Sequence, residues 1–176
     1  MYILTNEKND LSYNFEWDIN KARLNIKKHE ISFERAAEIF LDPFAISIFD
    51  EENSLQEERW ITIGKNSNEV VLVLIHTFSQ QENDQYNIRI ISARRATKRE
   101  IKQYEERWWT MKKEYDFSKG EQGKFYQANI KLNLPVYLES DVAQFVQTYA
   151  KKKNIDRQTV VNELLRKDKE LVESMP

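Results

Sequence analysis

The feature of the sequence that most constrains its fold is a nearly continuous apolar run at residues 70–77, Val-Val-Leu-Val-Leu-Ile-His-Thr. An apolar run of this length between polar turns predicts a central strand that is buried on both faces. Strand patterns at 45–50, 58–63 and 86–92 flank the run, and short polar segments separate them. Four strands joined by short turns predict an antiparallel meander.

Helical patterns stand on either side of these strands. Asp18 is a candidate N-cap for a helix that continues to about His29, and Ser32 is a candidate N-cap for a helix that ends before Pro43. From Ala93 the pattern becomes helical again. The predicted fold class is therefore α+β, with two helices, a four-stranded antiparallel sheet and a C-terminal helix.

A different pattern begins at Met111. Residues 111–128, called the arm below, contain Gly120 and Gly123 but no apolar periodicity. Such a segment predicts either a linker or a stretch of chain that folds on a partner.

Residues 129–176 carry the pattern of one strand and two helices. The strand at 130–134 alternates apolar and polar residues, one helix starts near Ser140, and Asp156 caps the other. Because the segment is so short, it cannot bury both faces of its strand without a second copy of the chain. This pattern is typical of a ribbon-helix-helix homodimer, whose paired strands enter the DNA major groove.

Composition limits the location and the chemistry. The chain has no cysteine, so it forms neither a disulfide nor a thiolate metal site. It shows no secretory signal and no apolar run long enough to span a membrane. We therefore expect a cytoplasmic protein without membrane contact. We also expect no metal or cofactor, because the two histidines lack metal-ligand spacing.

Charge is distributed unevenly along the chain. Residues 1–110 hold 15 Lys/Arg and 19 Asp/Glu, a net charge of −4, and residues 111–176 hold 12 and 10, a net charge of +2. A basic cluster nevertheless lies inside the acidic part and consists of Arg89, Arg94, Arg95, Lys98 and Arg99. Such a cluster indicates a local anion site, although the solvated face of a helix would look the same.

Residues 13–105 contain many elements of one known family, in one order. These elements are Phe15-Glu16-Trp17-Asp18, Lys21, Asn25, Lys28-His29, Ser32-Phe33-Glu34, Phe40, Asp42-Pro43, Glu58-Arg59-Trp60, Gly64 and the run from Arg89 to Glu100. Through them this part resembles the BrnT toxins. One residue departs from the pattern, because the family usually has glycine after the Lys-His pair and this chain has Glu30.

The rest of the chain resembles the BrnA antitoxins. The shared stretches are Lys112 to Ser118, Phe125-Tyr126, Lys131 to Leu138 and Val161 to Asp168. Met111 falls where a separate antitoxin would begin, so the chain resembles a fusion of two neighbouring genes. The resemblance implies a BrnT-like domain at 1–110, a neutralising arm at 111–128 and a ribbon-helix-helix domain at 129–176.

The two resemblances also imply a function. BrnT-like domains imply a RelE/ParE-like fold and a ribonuclease that stops translation. BrnA-like segments imply neutralisation of the toxin, dimerisation and repression of their own operon. The implied partners are RNA, operator DNA and a second copy of the chain.

Metal-independent RNA cleavage needs a base for the 2′-hydroxyl proton, cations for the phosphate and an acid for the leaving oxygen. The candidate catalytic residues are His29, Glu58, Arg59, Arg89 and Arg94. The candidate RNA-binding residues are Lys28, Ser92 and Lys98. Glu58 and Arg59 are predicted neighbours on one strand, so at most one of them lines a given site.

Each candidate has a structural alternative. His29 could be a group at a helix end, and Glu58 with Arg59 could form cross-strand ion pairs. Lys98 could lie on the solvated side of the last helix. His76, in the middle of the apolar run, is expected to be a satisfied core residue.

Strand alternation predicts which residues of the C-terminal part reach DNA. Lys131 and Asn133 face away from the helices, with Asn129 beside them, and their side chains suit guanine and adenine edges. The first turn of the second helix, with Arg157 and Thr159, would aim backbone amides at a phosphate.

Four aromatic residues of the arm are the predicted toxin-neutralising anchors: Tyr115, Phe117, Phe125 and Tyr126. A plain linker would not need them, whereas a segment that folds on binding gains affinity from such anchors. The arm could contact the toxin-like domain of its own chain or that of a second copy, and the short connection between the two favours its own chain.

Two other hypotheses stay open at this point. The toxin-like part could be an inactive scaffold in a protein that acts only as a DNA-binding regulator. It could also bind RNA without cleaving it.

Overall fold

The computed structural model describes residues 12–54, 57–80, 85–106 and 115–175. The chain divides into two compact units, Met1–Pro135 and Val136–Pro176. Within the described residues, no helix combines the length and the apolar character that crossing a membrane requires.

The first unit is built on a seven-stranded sheet with the order β6-β2-β3-β4-β5-β1-β7. The strands are β1 Ser12–Glu16, β2 Ile46–Phe49, β3 Arg59–Lys65, β4 Val71–Gln80, β5 Gln85–Arg95, β6 Glu121–Gln122 and β7 Lys131–Asn133. Strands β2 to β5 pair antiparallel in sequence order, so the predicted meander is confirmed. The three remaining strands extend both edges, because β6 pairs antiparallel with β2, and β1 lies parallel between β5 and β7.

The described residues of the first unit form three α-helices. Helix α1 spans Ile19–His29 and α2 spans Phe33–Ala37, capped as predicted by the side chains of Asp18 and Ser32. A 3-10 turn, Glu38–Leu41, follows α2. Helix α3 spans Lys98–Glu106. The prediction that this helix begins at Ala93 is wrong, because residues 93–95 pair with the apolar strand β4 and remain in β5.

Each face of the sheet has its own core. The face covered by α1 and α2, called the α1 face, buries Phe33, Phe40, Leu74 and Ile90 among many others. The opposite face, called the α3 face, buries Ile61, Ile63 and Val73, and Ile101 and Tyr104 of α3 pack against it. Strand β4 contributes to both cores, as its unbroken apolar run predicts.

A bulge in β5 decides which arginines share a face. Arg89 pairs with Thr77 and Arg94 pairs with Val73, and the register shifts between Ile75 and His76. Thr77 and Val73 stand an even number of residues apart on β4, so their side chains and those of their partners emerge on the same face. Without the extra residue in β5, the odd spacing of Arg89 and Arg94 would separate them.

The described part of the arm runs around the sheet of the first unit. Phe117 is buried in the core of the α3 face, and β6 then adds to the edge of β2. Phe125 is buried in the core of the α1 face, and so is Ile130, just before β7 pairs with β1. The arm thereby covers the β2 edge of the sheet, and β7, which follows the arm, covers the β1 edge; both edges would otherwise present unpaired backbone groups.

The second unit contains a pair of helices. Helix α4 spans Ser140–Lys153, and α5 spans Arg157–Glu173 with the Asp156 side chain as its N-cap, as predicted. Their shared core is small and consists of Val146, Ala150 and Val160, with a few half-buried neighbours. Large apolar side chains stay exposed on this unit: Val136, Leu138, Val142, Phe145, Leu165, Leu171 and Val172.

Candidate active site

A row of charged and polar residues crosses four strands on the α3 face. Arg59 of β3 pairs with Thr77 of β4, Thr77 pairs with Arg89 of β5, and Arg89 pairs with Glu16 of β1. This register places the two guanidinium groups on one face, with one strand between them. Two neighbouring guanidinium groups can grip a phosphate from two sides.

Glu57 holds this arginine pair in place. Its carboxylate accepts hydrogen bonds from Arg89 and from Nη2 of Arg59, the latter at 3.2 Å. The hydrogen bond from Arg89, more than any other contact, lowers the pKa of Glu57 below its ordinary value, so the carboxylate is charged at neutral pH. Nε of Arg59 is buried and finds no hydrogen-bond partner among the described residues, so within them this cation is only partly satisfied.

The carboxylate predicted from the sequence is that of Glu58, the residue that follows Glu57. Glu58 is exposed and precedes β3, which begins at Arg59, so the prediction that Glu58 and Arg59 are neighbours within one strand is wrong. Glu57 was missed, because two successive glutamates before a strand offer no local signal of which one turns towards the arginines.

Arg94 stands further along the α3 face. Arg94 pairs with Val73, and Arg89 pairs with Thr77, four residues away on β4. The two arginines are therefore separated by about 13 Å along the strand direction, at ~3.3 Å per residue. Its terminal nitrogens Nη1 and Nη2 each donate to the carboxylate of Glu100 at 2.7 Å, and Nη1 also donates to the Arg95 carbonyl oxygen at 3.1 Å. The guanidinium is therefore fixed in orientation by a bidentate pair.

Glu100 has two roles in this arrangement. Its side chain is fully buried, and besides binding Arg94 it accepts a hydrogen bond from the Thr97 backbone amide at 2.9 Å. The Thr97 hydroxyl accepts in return from the Glu100 amide, which makes a capping box at the start of α3. Burial raises the pKa of Glu100, but the hydrogen bonds from Arg94 and Thr97 outweigh it, so the net pKa lies below its ordinary value.

The arm reaches this end of the site. The guanidinium of Arg94 lies over the ring of Tyr115, with its carbon 5.8 Å from the ring centroid. Tyr115 is half-buried, and it packs against the core of the α3 face together with Phe117. The backbone amide of Phe117 donates to Oε1 of Gln103 in α3 at 3.4 Å.

His29 is the last residue of α1 and is half-buried. Burial, and then the charges of Lys28 and Arg94, lower the pKa of His29 below 6.5, so the imidazole is neutral at physiological pH. A neutral imidazole can accept a proton. Arg94 is thus the one arginine of the candidate site whose charge is seen to act on His29.

Glu30 occupies the backbone position that follows His29. It is the C-cap of α1 and has a left-handed conformation, with φ of 58° and ψ of 25°. This conformation favours glycine, because a side chain there crowds the following carbonyl. The glycine that BrnT-like sequences usually have after the Lys-His pair therefore has a backbone reason, and Glu30 adopts the same turn at an energetic cost.

The predicted RNA-binding residues flank these arginines. Ser92 is half-buried and pairs with Ile75, in the row between Arg89 and Arg94 on the α3 face. Lys28 and Lys98 are both exposed, at the end of α1 and the start of α3.

His76 lies on the α1 face of the sheet, where it packs against Phe40 and Phe125. Its Nε2 is 2.8 Å from the hydroxyl of Thr62, which in turn is 2.8 Å from the hydroxyl of Ser47. The imidazole is fully buried, and this burial lowers its pKa to about 4. The expectation that His76 is a satisfied core residue is therefore confirmed.

Phe125 of the arm is buried on the α1 face. Its ring centroid lies 4.4 Å from that of Phe78, 5.2 Å from that of His76 and 5.3 Å from that of Trp60. Its carbonyl oxygen accepts a hydrogen bond from the Tyr13 hydroxyl at 2.6 Å. Burial, together with Tyr86, raises the pKa of Tyr13 to about 12.

Two other arm residues show how closely the segment fits. Gly120 sits against β2, where a Cβ atom would collide with the side chain of Ile46 and lie 3.0 Å from that of Ile48. Tyr126, the fourth predicted anchor, is half-buried.

The predicted DNA-reading residues lie in both compact units. Lys131 and Asn133 are exposed on β7, and Nδ2 of Asn133 donates to Oδ1 of Asn14 at 2.8 Å. Asn129 is exposed and has a φ of 64°. In the second unit Arg157 is exposed, while Thr159 binds the Asp156 cap through its amide at 2.8 Å and its hydroxyl at 2.6 Å.

A comparison with protein families identifies the core of the first unit. Residues 17–100 match the family described as the ribonuclease toxin BrnT of a type II toxin-antitoxin system. Residues 17–100 form a BrnT-family domain. This domain contains Arg59, Arg89, Arg94, Glu100 and His29, whereas the arm lies beyond it.

Among solved structures, the BrnT-family domain is similar to the Brucella abortus ribonuclease toxin BrnT, whose crystal structure was determined at 1.1 Å resolution. The two share 23% sequence identity with a TM-score of 0.37, over 49% of this chain and 100% of the Brucella chain. No curated protein matches the chain.

Proposed function

We propose that this chain is a toxin-antitoxin fusion in which the BrnT-family domain is a metal-independent ribonuclease and the arm holds it inactive. The observation that carries the proposal is the contact of Tyr115 with Arg94, on the same face as Arg59 and Arg89. The arm thus occupies one end of the surface that has the chemistry for binding RNA.

In the proposed reaction, Arg59 and Arg89 stabilise the charge that builds on the scissile phosphate. Glu57 keeps both arginines oriented, and the phosphate displaces it in part. His29, neutral at physiological pH, takes the proton of the 2′-hydroxyl, and the 2′-oxygen attacks the phosphorus. The bond from phosphorus to the 5′-oxygen breaks, the 5′-oxygen takes a proton from water, and a 2′,3′-cyclic phosphate is left. The strand register favours an RNA path along the α3 face, from the Arg94 end to the row of Arg89.

Expression of residues 1–110 in bacteria tests this function. We expect growth arrest with defined RNA fragments, and recovery when residues 111–176 are supplied from a second gene. The matched control is Arg89→Ala in residues 1–110, which should restore growth. If cells expressing soluble residues 1–110 grow normally and their RNA stays intact, the ribonuclease proposal fails.

We further propose that residues 129–176 form a ribbon-helix-helix homodimer that binds operator DNA and represses its own gene. What supports this is the small core of α4 and α5 beside many exposed apolar side chains, because helix pairs of about 40 residues usually need a partner. The proposed DNA-reading residues are Asn129, Lys131, Asn133, Arg157 and Thr159.

Operator binding can be measured with the full chain and the DNA upstream of its gene. We expect a dimer that binds a palindromic site with steep salt dependence, and loss of specific binding in Lys131→Ala/Asn133→Ala. A monomer that binds this DNA no better than random DNA would contradict the ribbon-helix-helix assignment.

A second candidate function is a regulator whose toxin-like domain cleaves no RNA. The observation that favours it is that carboxylates of the same chain, Glu57 and Glu100, already pair with Arg89 and Arg94. The experiment with residues 1–110 separates the two candidates, since only the ribonuclease arrests growth.

A further inference from the structure

The geometry of Arg94 differs from that of a phosphate-binding arginine. Both of its terminal nitrogens donate to Glu100, at 2.7 Å each. The carboxylate of Glu100 is fully buried and also holds the first turn of α3, so it cannot turn aside without loosening that helix. The Nη1/Nη2 edge of the guanidinium, one of the two edges that can bind a phosphate in a fork, is therefore occupied from within the domain.

An aromatic ring lies beside this guanidinium. The guanidinium carbon of Arg94 is 5.8 Å from the centroid of the Tyr115 ring of the arm, in the range of a cation–π contact. A guanidinium that is clamped in one plane by a buried carboxylate is a rigid platform for flat groups. Among the parts of an RNA, only the bases are flat and bind by stacking.

We infer that Arg94 is a nucleobase-stacking site and that the Tyr115 ring occupies the place of an unpaired RNA base. This inference rests on the proposed function, because it assigns the substrate contact at the Arg94 end of the same surface. It gives Arg94 the role of positioning the RNA by one base, and it makes Glu100 a positioning residue that acts through Arg94. The arm and the RNA then compete for one stacking surface.

A pair of small ligands tests the inference in the full chain. Adenosine 5′-monophosphate and ribose 5-phosphate share sugar and phosphate and differ only in the base. The variant is Tyr115→Leu, which keeps an apolar contact with the core of the α3 face but removes the ring. Tyr115→Phe is the control, because it keeps the ring in place.

We expect Tyr115→Leu to bind the adenosine nucleotide about tenfold more tightly than ribose 5-phosphate in calorimetric titration, as base stacking contributes such factors. The wild type and Tyr115→Phe should not show this preference, because the ring fills the site. Adding Arg94→Lys to Tyr115→Leu keeps the charge but removes the flat face, and should abolish the preference.

Equal binding of both ligands to a folded Tyr115→Leu variant would overturn the inference, and so would a preference that survives Arg94→Lys. The growth assay with residues 1–110 separates this result from the proposed function. Base preference without growth arrest supports the stacking site and refutes the ribonuclease, whereas growth arrest without base preference supports the ribonuclease and refutes the stacking site.

Discussion

The ring of Phe125 packs against the imidazole of His76, with centroids 5.2 Å apart and ring planes at 78°. Phe125 belongs to the arm and His76 to the central strand of the BrnT-family domain. Phe125 is only 6% exposed and is surrounded by residues of the domain. The arm therefore contributes to the core of the fold as well as to the candidate site.

Burial of a neutral imidazole makes stability depend on pH. The pKa of His76 is about 4 in the folded protein and about 6.5 in the unfolded chain. Its stabilising contribution is complete above pH 6.5 and is lost as the pH falls towards 4, because the unfolded chain takes up the proton first. The loss amounts to roughly 3 kcal/mol.

Urea unfolding at pH 7.5 and pH 4.5 measures this contribution, with His76→Gln as the matched variant. The wild type should lose more stability than the variant between the two values, by about 2–3 kcal/mol. Equal losses in both proteins would show that His76 is not buried in its neutral form.

Removal of the Phe125 ring should be costly. Phe125→Ala is expected to lower the free energy of unfolding of the full chain by about 3–5 kcal/mol, as for other buried aromatic residues. Tyr126→Ala is the neighbouring control and should cost much less, because that side chain is half-buried. Urea denaturation checks both, and an effect below about 1 kcal/mol for Phe125→Ala would mean that the arm does not dock.

The backbone of Glu30 gives a stabilising substitution. With φ at 58°, Glu30→Gly removes the strain of a left-handed side chain and should raise stability by about 0.5–1 kcal/mol. Glu34→Gly, in the first turn of α2, should instead lower it by a similar amount, because glycine weakens helices. Thermal unfolding compares the two, and destabilisation by Glu30→Gly would contradict the C-cap geometry.

The pH dependence of RNA cleavage should report on His29. A general base acts when deprotonated, so the rate should rise with pH and level off above the pKa of His29, which lies below 6.5. Single-turnover rates between pH 5 and 8 would show this rise in a variant whose arm is released, such as Gly120→Val. His29→Ala should remove the pH dependence together with most of the activity. An unchanged pH dependence in His29→Ala would exclude His29 as the base.

Local signals in the sequence predicted much of the fold. The caps Asp18, Ser32 and Asp156 and the apolar run of β4 are readable one segment at a time, because capping and periodicity depend on neighbouring residues. The order of the seven strands cannot be predicted in this way, because β1, β6 and β7 pair with strands that are distant in the sequence. No local pattern encodes such pairings.

The candidate site was predicted in its residue types and only partly in its geometry. Arg59, Arg89 and Arg94 do share one face, but they do so because of the bulge in β5, which depends on the register with β4. Glu57 and Glu100, which orient these arginines, were missed, because carboxylates beside basic residues usually belong to solvated surfaces.

The central claim is that the arm silences a ribonuclease, and Gly120 offers the most direct way to test it. Gly120→Val places a side chain against Ile46 and Ile48, so it should push the arm from the edge of β2. Gln127→Val adds the same side chain at an exposed arm position and serves as the control. Hydrogen exchange at residues 117–125 verifies the release of the arm.

The measurement is the rate at which the purified full-length proteins cleave RNA. We predict background rates for the wild type and Gln127→Val, a rate at least tenfold higher for Gly120→Val, and a return to background when Arg89→Ala is added to Gly120→Val. A Gly120→Val protein whose arm exchanges freely but whose RNA stays intact would contradict the account.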